Sequence, residues 1–216
     1  GGGGAVLFAA PPLANASVSV QLNTSSFTSN GIDAHGTTST FGGNVVMGGG
    51  AVLVGASSFS PMLALFAEVQ ELNVSNNTHD CSMSTISTGD MMCVGSVGVV
   101  APGLPMQALI GSSVFSSNMV NASNSTLLEG DAFVGGAGMY LTGSSVTLRV
   151  LNTQFVRNGL FSSYVQLYAS ESGGAGLYAH AAVSSLTTTL DGVSGYHNFV
   201  ICTHTNAVGS NNNGGG

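Results

Sequence analysis

The chain has 216 residues, 44% of them apolar, with no Lys, Arg149 and Arg157 as its only strong cations, nine acids and a net charge of −7. That length suits one domain or one block of repeats with apolar matter enough for a core, and the clustered cations that nucleic acid or an anionic membrane surface demands are missing. No apolar run reaches 18 residues, so no helix is expected to insert in a bilayer. No charged-then-apolar leader is visible, so the chain reads as a mature product or an excised segment.

Taken in order, the chain opens on Gly1–Leu7, GGGGAVL, a glycine turn feeding a short apolar strand. Ala16–Leu22 (ASVSVQL) alternates as a strand, flanked by sequons at Asn15 and Asn23. Phe27-Thr28-Ser29-Asn30 follows, and a second Phe-x-x-Asn, Phe41–Asn44, precedes the next glycine turn, Gly48–Val54 (GGGAVLV). Met62–Glu71 (MLALFAEVQE) is the best helical stretch, though its second half also alternates like a strand. Sequons pair at Asn73 and Asn76 in a polar stretch expected to be a surface loop, as they do again at Asn121 and Asn124.

Cys81 and Cys93 bracket SMSTISTGDMM, expected to be a polar loop insert over 81–93. In a secreted chain they read as a disulfide closing that loop; the alternative is two buried thiols. Cys202 is left over. Gly95–Val100 (GSVGVV) is a weak copy of the glycine turn, and Gly135–Tyr140 (GGAGMY) and Gly173–Tyr178 (GGAGLY) are clearer ones. Between and after them lie Phe115–Asn118, the strand Ser145–Leu151, Phe155–Asn158 and the strand Val183–Leu190. The chain closes on Gly214-Gly215-Gly216, where another copy would begin. These starts recur roughly every 40 to 47 residues, a period that signals a solenoid or an array. Residues 1–216 are therefore expected to form a single repeat block, each period supplying about two rungs. A β-sandwich of the same short strands is the alternative.

GGA at Gly3, Gly49, Gly135 and Gly173, alternating with Phe-x-x-Asn, resembles the passenger region of chlamydial polymorphic outer membrane proteins. It also resembles the wider class of β-helix repeat proteins on bacterial and protist surfaces. The resemblance implies a right-handed parallel β-helix. Physical logic points the same way: like residues would stack from rung to rung, with Phe inside and Asn at a sharp bend, where it tolerates a left-handed backbone.

Chemistry is sparse. His79-Asp80-Cys81 and Cys202-x-His204 offer metal donors without the paired spacing of a zinc site, and no metal or cofactor is expected. The close acidic pairs are Glu68/Glu71, Asp80/Asp90 and Glu129/Asp131; hydrolysis of a glycoside needs two placed carboxylates, and both arginines fall in a different period. No P-loop Lys exists. The expectation is a non-catalytic extracellular structural protein, a surface filament or adhesin stalk. Polysaccharide binding or cleavage is the alternative. Because both ends fall in phase with the repeat, partners are expected to be further copies stacked head to tail, or other surface proteins or glycans.

Overall fold

The computed structural model describes residues 6–10, 17–40, 45–56, 64–88, 90–166, 170–205 and 211–213. Asn15, the Phe41–Asn44 motif and the terminal glycine runs lie outside them. Every described element is a strand, and every described strand pair is parallel. The β-sandwich alternative is thereby set aside, since such sandwiches are built from antiparallel sheets.

The strands form five successive passes. The first contains β1 (Val6–Ala10), β2 (Ser17–Asn23), β3 (Ser26–Thr28), β4 (Gly31–Asp33), β5 (Thr38–Ser39) and β6 (Val45–Met47). The second contains β7 (Val52–Ala56), β8 (Ala64–Gln70), β9 (Asn73–Ser75), β10 (Thr78–Asp80), β11 (Thr85–Ile86) and β12 (Met91–Val94). The third contains β13 (Val97–Gly111), β14 (Val114–Ser116), β15 (Met119–Leu127) and β16 (Ala132–Gly135). The fourth contains β17 (Met139–Leu151), β18 (Gln154–Val156), β19 (Gly159–Gln166) and β20 (Ser170–Gly173). The fifth contains β21 (Leu177–Ala181), β22 (Leu186–Asp191), β23 (Ser194–Tyr196), β24 (Phe199–Thr205) and β25 (Asn211–Asn213).

Each pass visits four sheets in turn. The first sheet runs β1-β7-β13-β17-β21, with β2 and β8 extending it beside β13 and β22 beside β17. The second is β3-β9-β14-β18-β23, the third is built on β4-β10-β15-β19-β24, and the fourth is β6-β12-β16-β20-β25. Neighbours in a sheet are one whole period apart: Asn30, Asn77, Asn118, Asn158 and Asn198 follow at separations of 47, 41, 40 and 40 residues. One period is therefore a single pass, which corrects the expectation of two rungs per period.

Alternation decides what faces inward. In β8 Leu65, Ala67 and Val69 are buried while Phe66 and Glu68 face out. The helix-forming residues of Met62–Glu71 are thus strand from Ala64 on, because an apolar residue at every second position matches a half-buried strand and pairing with β2 and β13 captures it. In β13 the two prolines fall at the shift of register between Ala101 and Pro105, a place in a sheet where a missing N–H is tolerated.

The expected Phe column is aromatic only in part. Phe27, Val74, Phe115, Phe155 and Gly195 are in register, and the Phe115 and Phe155 rings stack with centroids 5.1 Å apart. Tyr140 and Tyr178 stack at the same distance on the other face of the first sheet, in a second cluster with Leu53, Met92 and Val94. At the corner after the second sheet, the left-handed residue is the one before each Asn: Ser29, Asn76, Ser117, Arg157 and His197 have φ between 54° and 57°. That corrects the expectation that Asn itself takes this conformation. The Asn side chain points inward instead and is spent on hydrogen bonds.

At the glycine turns entering the first sheet, Gly136 has φ 57°, and a Cβ there would run into the Met139 carbonyl. Ala137 and Ala175 are fully buried beside it. The turn therefore needs Gly for its backbone and a small residue for its packing.

Candidate functional site

The Asn ladder is the most regular polar feature. Asn118 Nδ2 donates to Asn158 Oδ1 at 2.9 Å and to the Val74 carbonyl at 3.0 Å. Its Oδ1 accepts from Asn77 N at 3.1 Å and Asn77 Nδ2 at 3.0 Å. Asn77 and Asn158 repeat the scheme. Asn77, Asn118 and Asn158 are fully buried. An amide has two donors and an acceptor oxygen with two lone pairs, and each of these is used, so the polar column costs no unsatisfied group.

Cys81 and Cys93 form a disulfide with Cα atoms 6.5 Å apart, buried among Met47, Ile86, Met91 and Val134. The segment between them is not an insert. Cys81 N bonds Asn121 O and Cys93 pairs with Val134, so the next pass carries a stretch of the same length. It contains β11 and part of β12, with Ile86 and Met91 buried; its serines and threonines hid that alternation.

His79 lies beside the disulfide. A ring nitrogen and both Sγ atoms fall within 4.8 Å of one another. Nδ1 donates to the Val94 carbonyl at 2.6 Å, while Nε2 has no hydrogen-bond partner. Burial lowers the pKa of the ring below 6.5, against the Val94 bond and the Asp80 charge that raise it. Asp80 itself is half-buried, which raises its pKa, but hydrogen bonds from Ser82, nearby His35 and Asn121 outweigh this and hold it below 3.8. The backbone of Cys202 pairs with Ser162 in the third sheet.

The outer face of the first sheet carries an open groove of about 330 Å³, lined by Ser19, Phe66, Glu68, Gln107, Leu109, Thr147 and Arg149 among others. Register assembles it. Ser19, Phe66, Gln107 and Thr147 form one row across four strands; Gln21, Glu68, Leu109 and Arg149 form the next. Glu68 accepts from Gln21 Nε2 at 2.8 Å. Two strand spacings, about 10 Å, separate the Glu68 and Arg149 positions. Among the described residues, Glu68 is the one carboxylate lining the groove. Of the other acidic candidates, Glu71 sits at a corner and accepts from Thr24 Oγ1 at 2.9 Å. Asp90 Oδ1 accepts from Asp131 N at 3.1 Å, near the fourth sheet, so the acidic pairs read along the chain are not brought together in the groove.

The sequons divide. Asn23, Asn73, Asn76 and Asn124 are exposed. Asn121 is half-buried: its Nδ2 donates to Asp80 at 3.3 Å and its Oδ1 accepts from Ser123 N. Asn73 lies in β9, and Asn121 and Asn124 lie in β15, Asn124 at the irregularity of pairing between Ala122 and Ser125, rather than in loops, because parallel pairing extends through these polar stretches.

Comparison with family models, curated proteins and solved structures gives no match. Among the described residues, no helix is long and apolar enough to cross a membrane.

Proposed function

We propose that the chain is a right-handed parallel β-helix segment of a non-catalytic extracellular structural protein, a surface filament or adhesin stalk. The observation that carries this reading is the Asn ladder, which hydrogen-bonds each pass to the next through the buried interior. Such a column stabilises a stack of passes. The right hand follows from the strong preference of parallel crossover connections. The buried disulfide fits an oxidising compartment, and the GGA and Phe-x-x-Asn motifs support the resemblance to chlamydial passenger regions and other surface repeats.

Stacking on further layers is part of the proposal. Leu186 and Leu190 are in register with the buried Val146 and Val150, yet are 47% and 58% exposed. An apolar inner face of this kind is completed by another layer, from the same chain or a second copy. Sedimentation velocity over a concentration series, with negative-stain microscopy, tests it. Rods that shorten in the Leu186→Asp/Leu190→Asp variant are expected; monodisperse single chains at every concentration would refute it.

The groove favours one second reading, binding of a polysaccharide. An exposed aromatic ring, an amide, a carboxylate and a guanidinium on one rigid face are groups that pack on and hydrogen-bond sugar. A glycan array should then show binding that Phe66→Ala and Arg149→Ala both abolish, and no binding on a broad array ends the idea.

A further inference from the structure

The His79, Cys81 and Cys93 cluster is more than a staple. Three candidate donors meet in a buried cluster: a ring nitrogen and two sulfurs, all within 4.8 Å of one another. His79 is 2% exposed, and its Nε2 has no hydrogen-bond partner. A carbonyl can only accept, so the short bond to Val94 places the proton on Nδ1 and leaves the Nε2 lone pair open. A backbone carbonyl holding one ring nitrogen while the other stays free is how proteins orient a ligating histidine. A buried polar atom left without a partner is itself unusual and calls for a role.

We propose that the disulfide is one of two states of this cluster, and that the reduced state holds a single Cu(I) ion through Cys81, Cys93 and His79. A phosphine or thiol reductant supplies two electrons; the S–S bond breaks, two protons are taken up and two thiols form. Cu(I) then displaces both thiol protons and bonds to two thiolates and the imidazole lone pair. Softness and number select the ion. Thiolate and thioether donors suit Cu(I), whereas structural zinc closes on four ligands, and the described cluster has three. Met47, paired with Cys93, and Met91 are the other sulfur-bearing residues in the same core.

The full chain is reduced with a phosphine, loaded with Cu(I) under argon and challenged with bathocuproine disulfonate. The reduced chain should retain one copper per chain, with X-ray absorption showing two sulfurs and one nitrogen. The oxidised chain should retain none, and His79→Phe should lose at least tenfold in affinity and the nitrogen from the shell. The Cys81→Ser/Cys93→Ser variant, its strand content checked by circular dichroism, should retain none. Equal retention by oxidised and reduced chains, a shell unchanged by His79→Phe, displacement of Cu(I) by equimolar Zn(II), or loss of strand structure on reduction would each overturn the proposal.

Discussion

Asn118 donates a side-chain N–H to Asn158 Oδ1 at 2.9 Å, 40 residues further along the chain. The same Oδ1 of Asn158 also takes the backbone N–H of Asn118 at 3.1 Å. One side chain therefore fixes both the corner and the register of the neighbouring pass. Asn118→Ala should strand the backbone N–H and one side-chain N–H of Asn77 and take the Asn118 donor from the Val74 carbonyl, while the N–H of residue 118 keeps Asn158 Oδ1. Each orphaned buried group costs about 1–3 kcal/mol, so a loss of more than about 2 kcal/mol is expected in urea unfolding. Asn30→Ala, at a half-buried position, should cost distinctly less.

Phe115 and Phe155 stack in the core while Gly195 ends their column. Phe115→Ala should cost about 3–5 kcal/mol, the usual range for an aromatic removed from a packed interior. Phe115→Leu should recover more than half of that. Calorimetry that finds the two variants equally destabilised would show that apolar volume alone recovers nothing there and that the ring stacked on Phe155 is required.

Reduction of Cys81–Cys93 frees a chain segment with a separation of 12 residues. In the chain-entropy account a closed loop of this size stabilises by roughly 2–3 kcal/mol. Unfolding midpoints with and without a phosphine should differ by that amount. Peptide mapping without reductant should recover the linked pair, and free alkylation of both thiols in native protein would contradict it.

His79 makes stability depend on pH. Its folded pKa lies below 6.5, so the unfolded chain takes up a proton before the folded chain does. The contribution is whole above about pH 6.5 and is lost as pH falls toward the folded value, by at most about 1.4 kcal/mol per pH unit. Urea midpoints at pH 7.5 and 5.5 should show this slope, and His79→Phe should remove it. Asp80, held below 3.8, acts in the same direction in a lower window; its part is present above about pH 4 and disappears on further acidification, so the slope there should persist in His79→Phe.

The sequon residues Asn76 and Asn124 are exposed at left-handed bends of the backbone, whereas the Asn121 side chain is engaged by Asp80 and Ser123. Material secreted from a eukaryotic host should carry glycan on Asn76 or Asn124 and none on Asn121. Intact glycopeptide mass spectrometry reads this directly.

Strand content and parallel order were legible because alternation and glycine turns are local signals. The ladder was half legible. Phe-x-x-Asn marks the corner at Asn30, Asn118 and Asn158 but misses Asn77 and Asn198, where Val74 and Gly195 stand in place of Phe. The fixed element is the buried Asn; the aromatic is one way of filling the space beside it. The residue that actually turns the chain, whether Ser117, Arg157 or His197, has no consistent identity, since only its backbone matters. The groove could not be read at all. Ser19, Phe66, Gln107 and Thr147 come from four passes, and only pairing register makes them neighbours.

One pass per period also fixes how slowly such a molecule gains length. Each layer adds one strand spacing, about 4.8 Å, for some forty residues. That is about 0.1 Å per residue, against 1.5 Å in an α-helix. Most of the chain goes into girth and lateral surface, with little reach. A structure that spans any cellular distance by this route must repeat its layers by the hundred, and a single wrong register anywhere along it would shift every outward-facing row beyond that point.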